Sequence, residues 1–223
     1  MNLNQGIKGD DVLGRLFSEA ANKETAALQK IKNHYAKDAC PDQLVGRIEK
    51  FSFGTGFPVR VNIQDGFKKT SDSCVILILE SPHKDEFAVD KVGELKPIGP
   101  AFGCTGCRIR KHFSQIFGNA YDNCVLVLLN TIRFQCSLGL PDVALKNRIV
   151  RACKKESLFK DDLKRRINDV MERFSVQMIV NASGCVCEGF VDQVLGALRV
   201  DKKIVKRIKH PSRWGENTKC REI

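Results

Sequence analysis

Residues 74–83, CVILILESPH, join a run of apolar residues to a group of polar ones. Residues 75–79 are apolar without any polar alternation, which is typical of a strand buried on both faces in a helix-covered parallel sheet. Open sheets of this kind bind their ligands at the carboxyl ends of the strands. The polar residues after the run, Glu80, Ser81 and His83, are therefore the first candidates for a functional site.

The charge of the chain favours a polyanionic partner. The 223 residues carry a formal net charge of +11, and the sequence pI is about 9.2. Residues 101–223 hold 23 Lys and Arg against 12 Asp and Glu, whereas residues 1–100 hold 14 of each. Nucleic acid is the leading partner on this basis, ahead of a membrane surface. A basic protein kept soluble by its charge is the alternative, and composition alone does not decide between the two.

The sequence shows no signal for a membrane or for secretion. No apolar run approaches the roughly 20 residues that cross a bilayer, and the first residues have no signal-peptide pattern. We therefore expect a soluble, cytoplasmic protein without a membrane partner, and we expect it to be a monomer. Reduced cysteines fit this expectation, because Cys74 and Cys124 open apolar runs in which a thiol acts as a small hydrophobic group.

Three further strand-like runs, residues 124–129, 176–180 and 203–208, alternate with helical patterns. The alternation predicts an α/β fold, a three-layer α/β/α domain with a central, mainly parallel four-stranded sheet. Right-handed crossovers bring the carboxyl ends of such strands to one edge. We expect the polar residues that follow the four runs to line one cleft: Glu80, His83, Asn130, Ser183, His210 and Ser212.

The helical patterns surround these runs within a single predicted domain, residues 1–223. They fall at residues 10–38, 106–117, 142–174 and 187–199. The segment 45–68 is ambiguous between a short hairpin and irregular chain. We therefore expect residues 74–214 to form the core and residues 1–73 to form a helical N-terminal extension packed on it.

The order of the strand ends resembles the uracil-DNA glycosylase superfamily. Members carry an apolar strand with a first motif, a Pro- and Gly-rich loop with a base-stacking aromatic residue, a strand ending in a base-reading Asn, and a late His-Pro-Ser. The similar segments here are LESPH at 79–83, the loop 97–106 with Phe102, LNTIR at 129–133, and HPS at 210–212. The likeness covers residues 74–214, and each motif is short.

The resemblance implies a monofunctional DNA glycosylase, which hydrolyses the N-glycosidic bond of a flipped base and leaves an abasic site. The base would be uracil or another damaged or modified base, such as a hypermodified cytosine in foreign DNA, so that the role would be DNA repair or phage defence. No lysine lies in a recognisable nucleophile motif, and water is therefore the expected nucleophile.

The same resemblance assigns roles to individual residues. It implies two catalytic residues, Glu80 as the carboxylate near the sugar and His210 as the donor to the departing base. Base binding would involve Ser81, His83, Phe102 and Asn130, with the Phe102 ring stacked on the flipped base. DNA binding would involve Lys209, Ser212, Arg213 and Trp214, with the Trp214 indole inserted where the base was.

The first motif departs from the family pattern. Leu79 replaces its leading glycine, and Ser81 lies where the best-known members have a catalytic Asp. The expected catalysis therefore depends on Glu80, and a catalytically silent nucleic-acid-binding protein with the same fold is the alternative. An unrelated hydrolase or nucleotide-binding protein is a third possibility, although the chain has no GxGxxG, GxxxxGK[ST] or GxSxG motif.

The cysteine spacing gives weak signals for a metal. Two close pairs offer thiolates to zinc: Cys104 with Cys107, and Cys185 with Cys187. The second pair, however, lacks the usual spacing of a zinc knuckle. Some members of the superfamily bind a four-iron cluster, and Cys136 and Cys153 are spaced like its later pair, but no Cys-x-x-Cys precedes the first motif. We expect no metal and no cofactor.

Overall fold

The computed structural model describes residues 14, 38–51, 56–64, 69–136 and 143–222. The predicted helices at 10–38 lie outside the described residues, except that Gly14 is helical and residue 38 is in a bend. No helix in the described ranges is long and apolar enough to cross a membrane.

The ambiguous N-terminal segment contains two strands of the main sheet. β1 (Gln43–Arg47) and β2 (Val61–Asn62) are antiparallel neighbours, so that a hairpin is the correct alternative for the described part of 45–68. The prediction that residues 1–73 form only a helical extension is therefore wrong for these residues. The physical reason is that the edge of the parallel sheet needs a backbone partner, which β1 supplies.

The apolar run after residue 73 is the central strand, as predicted. β3 (Ser73–Leu79) is almost completely buried, and its residues face both sides of the sheet. A small separate hairpin follows it, formed by β4 (Phe87–Val89) and β5 (Leu95–Pro97). This hairpin belongs to the polar stretch for which the sequence had predicted no element.

The other three predicted strands are also present, and they run parallel to β3. β6 (Val125–Asn130) and β7 (Ser175–Asn181) lie on either side of β3, and β8 (Val205–Arg207) pairs with β7. β9 (Arg221–Glu222) is antiparallel to β8. The strand order is β2-β1-β6-β3-β7-β8-β9, so the described residues form a sheet of seven strands instead of the predicted four, although the predicted four are its parallel centre.

Four helices lie within residues 69–136 and 143–222, where the sequence predicted helical patterns. They are α1 (Cys104–Phe117), α2 (Val143–Lys155), α3 (Ser157–Arg173) and α4 (Gly184–Ala197). The long basic pattern at 142–174 is divided at Glu156 into two helices. The predicted mixed α/β class with a mainly parallel sheet is confirmed.

Alternate residues of β3 belong to two different apolar clusters. Ile76 and Ile78 are in a cluster with apolar residues of α2, α3 and α4. Leu77 and Leu79 are in a second cluster with residues of α1. A strand whose neighbouring side chains point to opposite faces needs an apolar partner on each, which explains the uninterrupted apolar run.

A buried ionic network holds the end of β6 in place. Arg166 of α3 is fully buried, and its guanidinium contacts Asp42 Oδ1 at 2.8 Å and Asp162 Oδ2 at 2.7 Å. Its Nη2 also donates to the main-chain carbonyl oxygens of Asn130 and Thr131, at 3.0 and 3.2 Å. The guanidinium of Arg166 therefore holds the backbone at the carboxyl end of β6, where Asn130 lies.

The network also shifts the acidities of its carboxyl groups. Burial raises the pKa of Asp42, although the charge of Arg166 opposes this shift. Burial acts in the same direction on Asp162, but there the nearby guanidinium groups, those of Arg166, Arg133 and Arg165, outweigh it and lower the pKa. The guanidinium charges thus set the direction of the pKa shift of Asp162, whereas burial sets that of Asp42.

Candidate active site

A cleft of about 840 Å³ lies at the carboxyl ends of the parallel strands. Eight of the ten predicted site residues line it, and they come from the ends of β3, β6 and β8. They are Glu80, Ser81, His83, Asn130, Lys209, His210, Ser212 and Arg213. The expectation that the strand ends form one cleft is therefore confirmed for Glu80, His83, Asn130, His210 and Ser212.

Phe102 is not among the residues that line the cleft. Its half-buried ring is instead covered by the guanidinium of Arg60, whose carbon lies 3.9 Å from the ring centre. This arrangement is a cation–π contact, and it occupies one face of the ring. The structure therefore does not bring Phe102 into the predicted base-stacking position.

The prediction that Trp214 inserts into DNA is wrong. Its side chain is completely buried and packs against the rings of Phe113 and Phe117. The indole Nε1–H donates to the main-chain oxygen of Lys209 at 2.7 Å. A large apolar ring with a single polar group is stable in a core once that group has an acceptor, and Trp214 meets this condition.

Ser183 also lies behind the cleft and not in its wall. It is fully buried, and its hydroxyl donates to Asn181 Oδ1 at 2.7 Å. The next residue, Gly184, takes its place in the lining. Ser183 therefore supports the turn between β7 and α4.

Gly184 lies beside both Glu80 and His210. Its φ angle is +74°, and a Cβ added to it would lie 2.9 Å from Glu80 Oε2 and 3.9 Å from His210 Cβ. A side chain at this position would be strained and would press on the carboxylate. The glycine thus leaves the carboxylate of the first motif and the imidazole of the last motif on one wall of the cleft.

The imidazole of His210 is oriented by its own turn. Its Nδ1 accepts a hydrogen bond from the backbone N–H of Ser212 at 3.3 Å and lies 3.0 Å from Ser212 Oγ. When Nδ1 is an acceptor, the proton of the neutral ring is on Nε2. His210 therefore has a hydrogen-bond donor on the nitrogen opposite its turn.

His83 is held in a comparable way on the other motif. Its Nδ1 accepts from the backbone N–H of Asp85 at 3.4 Å and lies 3.2 Å from Asp85 Oδ2. The turn Lys84–Glu86 that it caps is a short 3₁₀ helix. This turn carries Glu86, the residue after Asp85, back into the cleft.

Glu86 is a site residue that the sequence did not indicate. It is 4% exposed, it lines the cleft, and its Oε2 accepts a hydrogen bond from Asn130 Nδ2 at 3.4 Å. Burial raises its pKa to about 8, despite hydrogen bonds from Ala101, Asn130 and His83 and the charge of Arg60, all of which lower it. At neutral pH this side chain is therefore mainly a carboxylic acid. A lone glutamate in a polar stretch carries no periodic signal that could have identified it.

The lining of the cleft also contains helix starts and basic residues. Thr105 of α1 and Gly184 of α4 line the cleft, and neither helix has a side-chain cap at its N-terminus. Arg207 also lines the cleft, but its Nε contacts Glu188 Oε1 at 2.7 Å and its Nη2 contacts Asp192, so its charge is paired. The exposed cations at the rim are Lys209, Arg213 and Lys219.

The cysteines of the two close pairs are dispersed over different environments. Cys104 and Cys185 are exposed, Cys107 is half-buried, and Cys187 lies in the core. Among the residues that the structure describes, no group of three or more His, Cys, Asp or Glu side chains is placed to hold a metal ion.

No protein family, no curated protein and no solved structure matches this chain. We therefore infer a function from the residues of the cleft.

The raised pKa of Glu86 predicts an unusual pH dependence of stability. Between its ordinary value of 4.5 and about 8, the folded chain keeps a proton that the unfolded chain has released. The free energy of unfolding should therefore fall as the pH rises through this window, by at most about 1.4 kcal/mol per pH unit. Glu86→Gln removes this contribution, so that denaturant unfolding from pH 5 to 8 should show the variant gaining stability relative to wild type.

The exposed Glu172 of α3 provides the control for this measurement. Glu172→Gln should leave the difference from wild type constant across the same pH range. Parallel stability curves for wild type and Glu86→Gln would show that Glu86 ionises normally in the folded protein.

Proposed function

We propose that the protein is a monofunctional DNA glycosylase of the uracil-DNA glycosylase type, which hydrolyses the N-glycosidic bond of a flipped base. The observation that carries this proposal is that Glu80, Asn130 and His210, from the ends of three parallel strands, line one cleft. These are the side chains for which the sequence resemblance implies action on the sugar and on the base.

The reaction needs opposite charges to be stabilised at the two ends of the breaking bond. The sugar becomes positive as the bond lengthens, and the carboxylate of Glu80 suits this charge and can also orient the attacking water. The departing base becomes negative, and the Nε2–H of His210 is a suitable donor to it. Both residues lie beside Gly184, and this placement supports their action on one bond.

The base would be bound by the wall that contains Asn130 and Glu86. Both side chains line the cleft and are nearly inaccessible to solvent, so that their hydrogen bonds to a base would be made in a region of low dielectric constant. Ser81 and His83 extend this wall along the first motif. In the absence of a stacking Phe102, polar contacts carry the recognition in this proposal.

The DNA backbone would be bound at the rim. The uncapped N-termini of α1 and α4 offer backbone N–H groups, which favour phosphate oxygens. Lys209, Arg213 and Lys219 add exposed positive charge beside them. The excess of Lys and Arg in residues 101–223 supports the same polyanionic partner.

The proposal includes a three-layer α/β/α arrangement of the domain. Its support is that one face of β3 shares an apolar cluster with α2, α3 and α4, whereas the other face shares one with α1. The monomeric state and the cytoplasmic location that the sequence favours belong to the same proposal.

A base-release assay tests the function directly. Labelled oligonucleotides, each with one uracil, 5-hydroxymethyluracil, 5-hydroxymethylcytosine or other modified base, are incubated with the protein and then treated with alkali. A glycosylase produces strand breaks only after the alkali step, and mass spectrometry identifies the free base. Absence of a free base from every substrate, together with salt-sensitive DNA binding, would overturn the enzymatic proposal in favour of a silent DNA-binding protein.

A further inference from the structure

The turn that carries His210, residues 210–213, is attached to the core by the residue that ends it, Trp214. The indole Nε1–H donates to the main-chain oxygen of Lys209 at 2.7 Å, on the amino side of His210. The backbone N–H of Trp214 donates to the main-chain oxygen of Pro211 at 3.0 Å, on the carboxyl side. Trp214 therefore holds the chain immediately before and immediately after His210.

Trp214 is itself held in place by helix α1. Its completely buried ring packs against Phe113 and Phe117, whose ring centres lie 6.5 and 6.0 Å away. Its main-chain oxygen accepts a hydrogen bond from Arg108 Nη1 at 2.6 Å. A large ring enclosed in a close-packed core has little room to move. The turn that carries His210 is thus tied to a rigid element of the fold.

The hydrogen bonds that orient the imidazole depend on the shape of this turn. His210 Nδ1 accepts from the backbone N–H of Ser212, and the main-chain oxygen of His210 accepts from the backbone N–H of Arg213 at 2.9 Å. Ser212 and Arg213 are exposed, so that they add little packing of their own. A short exposed turn opens readily unless it is attached to the core. The contacts of Trp214 supply this attachment.

We propose that Trp214 is a positioning residue for His210, which keeps the turn closed and the imidazole in one orientation in the cleft. The inference rests on the proposed function, in which His210 donates to the departing base. A donor that is oriented in advance needs no reorganisation during the reaction. Trp214 thus acts on the reaction from the core and not by entering DNA.

Amide hydrogen exchange tests the attachment without any substrate. Trp214→Phe keeps an aromatic ring in the core but removes the Nε1–H donor to Lys209. The turn should then open more often, and the amides of Ser212 and Arg213 should exchange about tenfold faster, the usual effect of losing one hydrogen bond.

Two controls separate this effect from a general loss of stability. The turn after His83 has the same bonding pattern, with the N–H of Asp85 on Nδ1 and that of Glu86 on the main-chain oxygen of His83. These two amides should exchange equally fast in wild type and in Trp214→Phe. Phe159→Leu weakens the apolar cluster on the other face of the sheet, and it should leave exchange in both turns unchanged.

Arg108→Met is a second variant that leaves the buried ring intact. It removes the donor to the main-chain oxygen of Trp214, on a side chain that is only half-buried. Exchange of the Ser212 and Arg213 amides should again be faster than in wild type. This variant carries the test if Trp214→Phe does not fold.

Binding and base release separate a positioning role from a DNA-contacting one. The chain has one tryptophan, so its fluorescence reports on Trp214 alone. In wild type bound to a duplex with one tetrahydrofuran abasic-site analogue, the emission and its quenching by iodide should stay as in the free protein. Trp214→Phe should bind this duplex as tightly as wild type, but it should release the base about tenfold more slowly, because a mobile donor is less often in place.

The outcomes distinguish this inference from the proposed function. Wild-type exchange rates at Ser212 and Arg213 in both Trp214→Phe and Arg108→Met would overturn the inference. Base release by Trp214→Phe at the wild-type rate, or quenching of the Trp214 emission by the duplex, would also overturn it. Faster exchange in the variants, with no base released by wild type from any substrate, would overturn the glycosylase proposal and leave the attachment of the His210 turn in place.

Discussion

Glu80→Gln is expected to slow base release by about 10³-fold, within the range of acid–base contributions in enzymes. The amide has nearly the same shape as the carboxylate, so it should fit beside Gly184 without new strain. It cannot, however, stabilise the positive sugar or accept a proton from water. Single-turnover release of the base from the best substrate measures this rate, and DNA affinity should change little.

Glu172→Gln is the matched control for this variant, because Glu172 is an exposed glutamate of α3 that does not line the cleft. It should release the base at the wild-type rate. If Glu80→Gln were also to release the base at that rate, with both variants folded by circular dichroism, the carboxylate would have no part in the reaction and the assignment of Glu80 would be wrong.

Arg166→Met is expected to lower the free energy of unfolding by about 3–5 kcal/mol. The change leaves the fully buried carboxylate of Asp42 without its cation, and it also removes the donors to the carbonyl oxygens of Asn130 and Thr131. For a chain of this size the melting temperature should fall by about 10 °C. Thermal unfolding followed by circular dichroism measures the loss.

The neighbouring Arg165 provides an internal control, because it contacts the same Asp162 at 2.9 Å but is 55% exposed. Arg165→Met should lower the free energy of unfolding by no more than about 1 kcal/mol, which is the usual contribution of a surface ion pair. The double variant Asp42→Asn/Arg166→Met should regain part of the lost stability, since the uncompensated charge is gone. If Arg165→Met and Arg166→Met lowered the free energy of unfolding equally, the buried network would stabilise the fold no more than a surface ion pair does.

Features that depend on local apolar patterns could be predicted from the sequence. The uninterrupted run at 75–79 marked the central strand, because a strand covered on both faces leaves no room for polar residues. The ends of the parallel strands then predicted one cleft, with Glu80, Asn130 and His210 in its lining. These predictions rest on short-range chemistry and on the geometry of parallel sheets.

Features that depend on distant contacts could not be predicted in this way. Trp214 comes soon after the His-Pro-Ser segment that lines the cleft, yet its ring is buried against Phe113 and Phe117 of α1. Phe102 has the correct residue type for base stacking, but Arg60 covers it. Glu86 becomes a neutral acid only because the folded chain buries it, and the residues next to it in the sequence do not indicate that burial.

The contacts of Arg166 have a consequence for the order in which the chain can fold. They join residues that are 124 positions apart, Asp42 and Arg166, and they also reach back 36 positions to Asn130. Closing such long loops costs entropy that is recovered only when all the partners have docked. We therefore expect the wall that carries Asn130 to be completed late, after α3 has packed on the sheet, so that a nascent chain that ends before α3 would lack this wall.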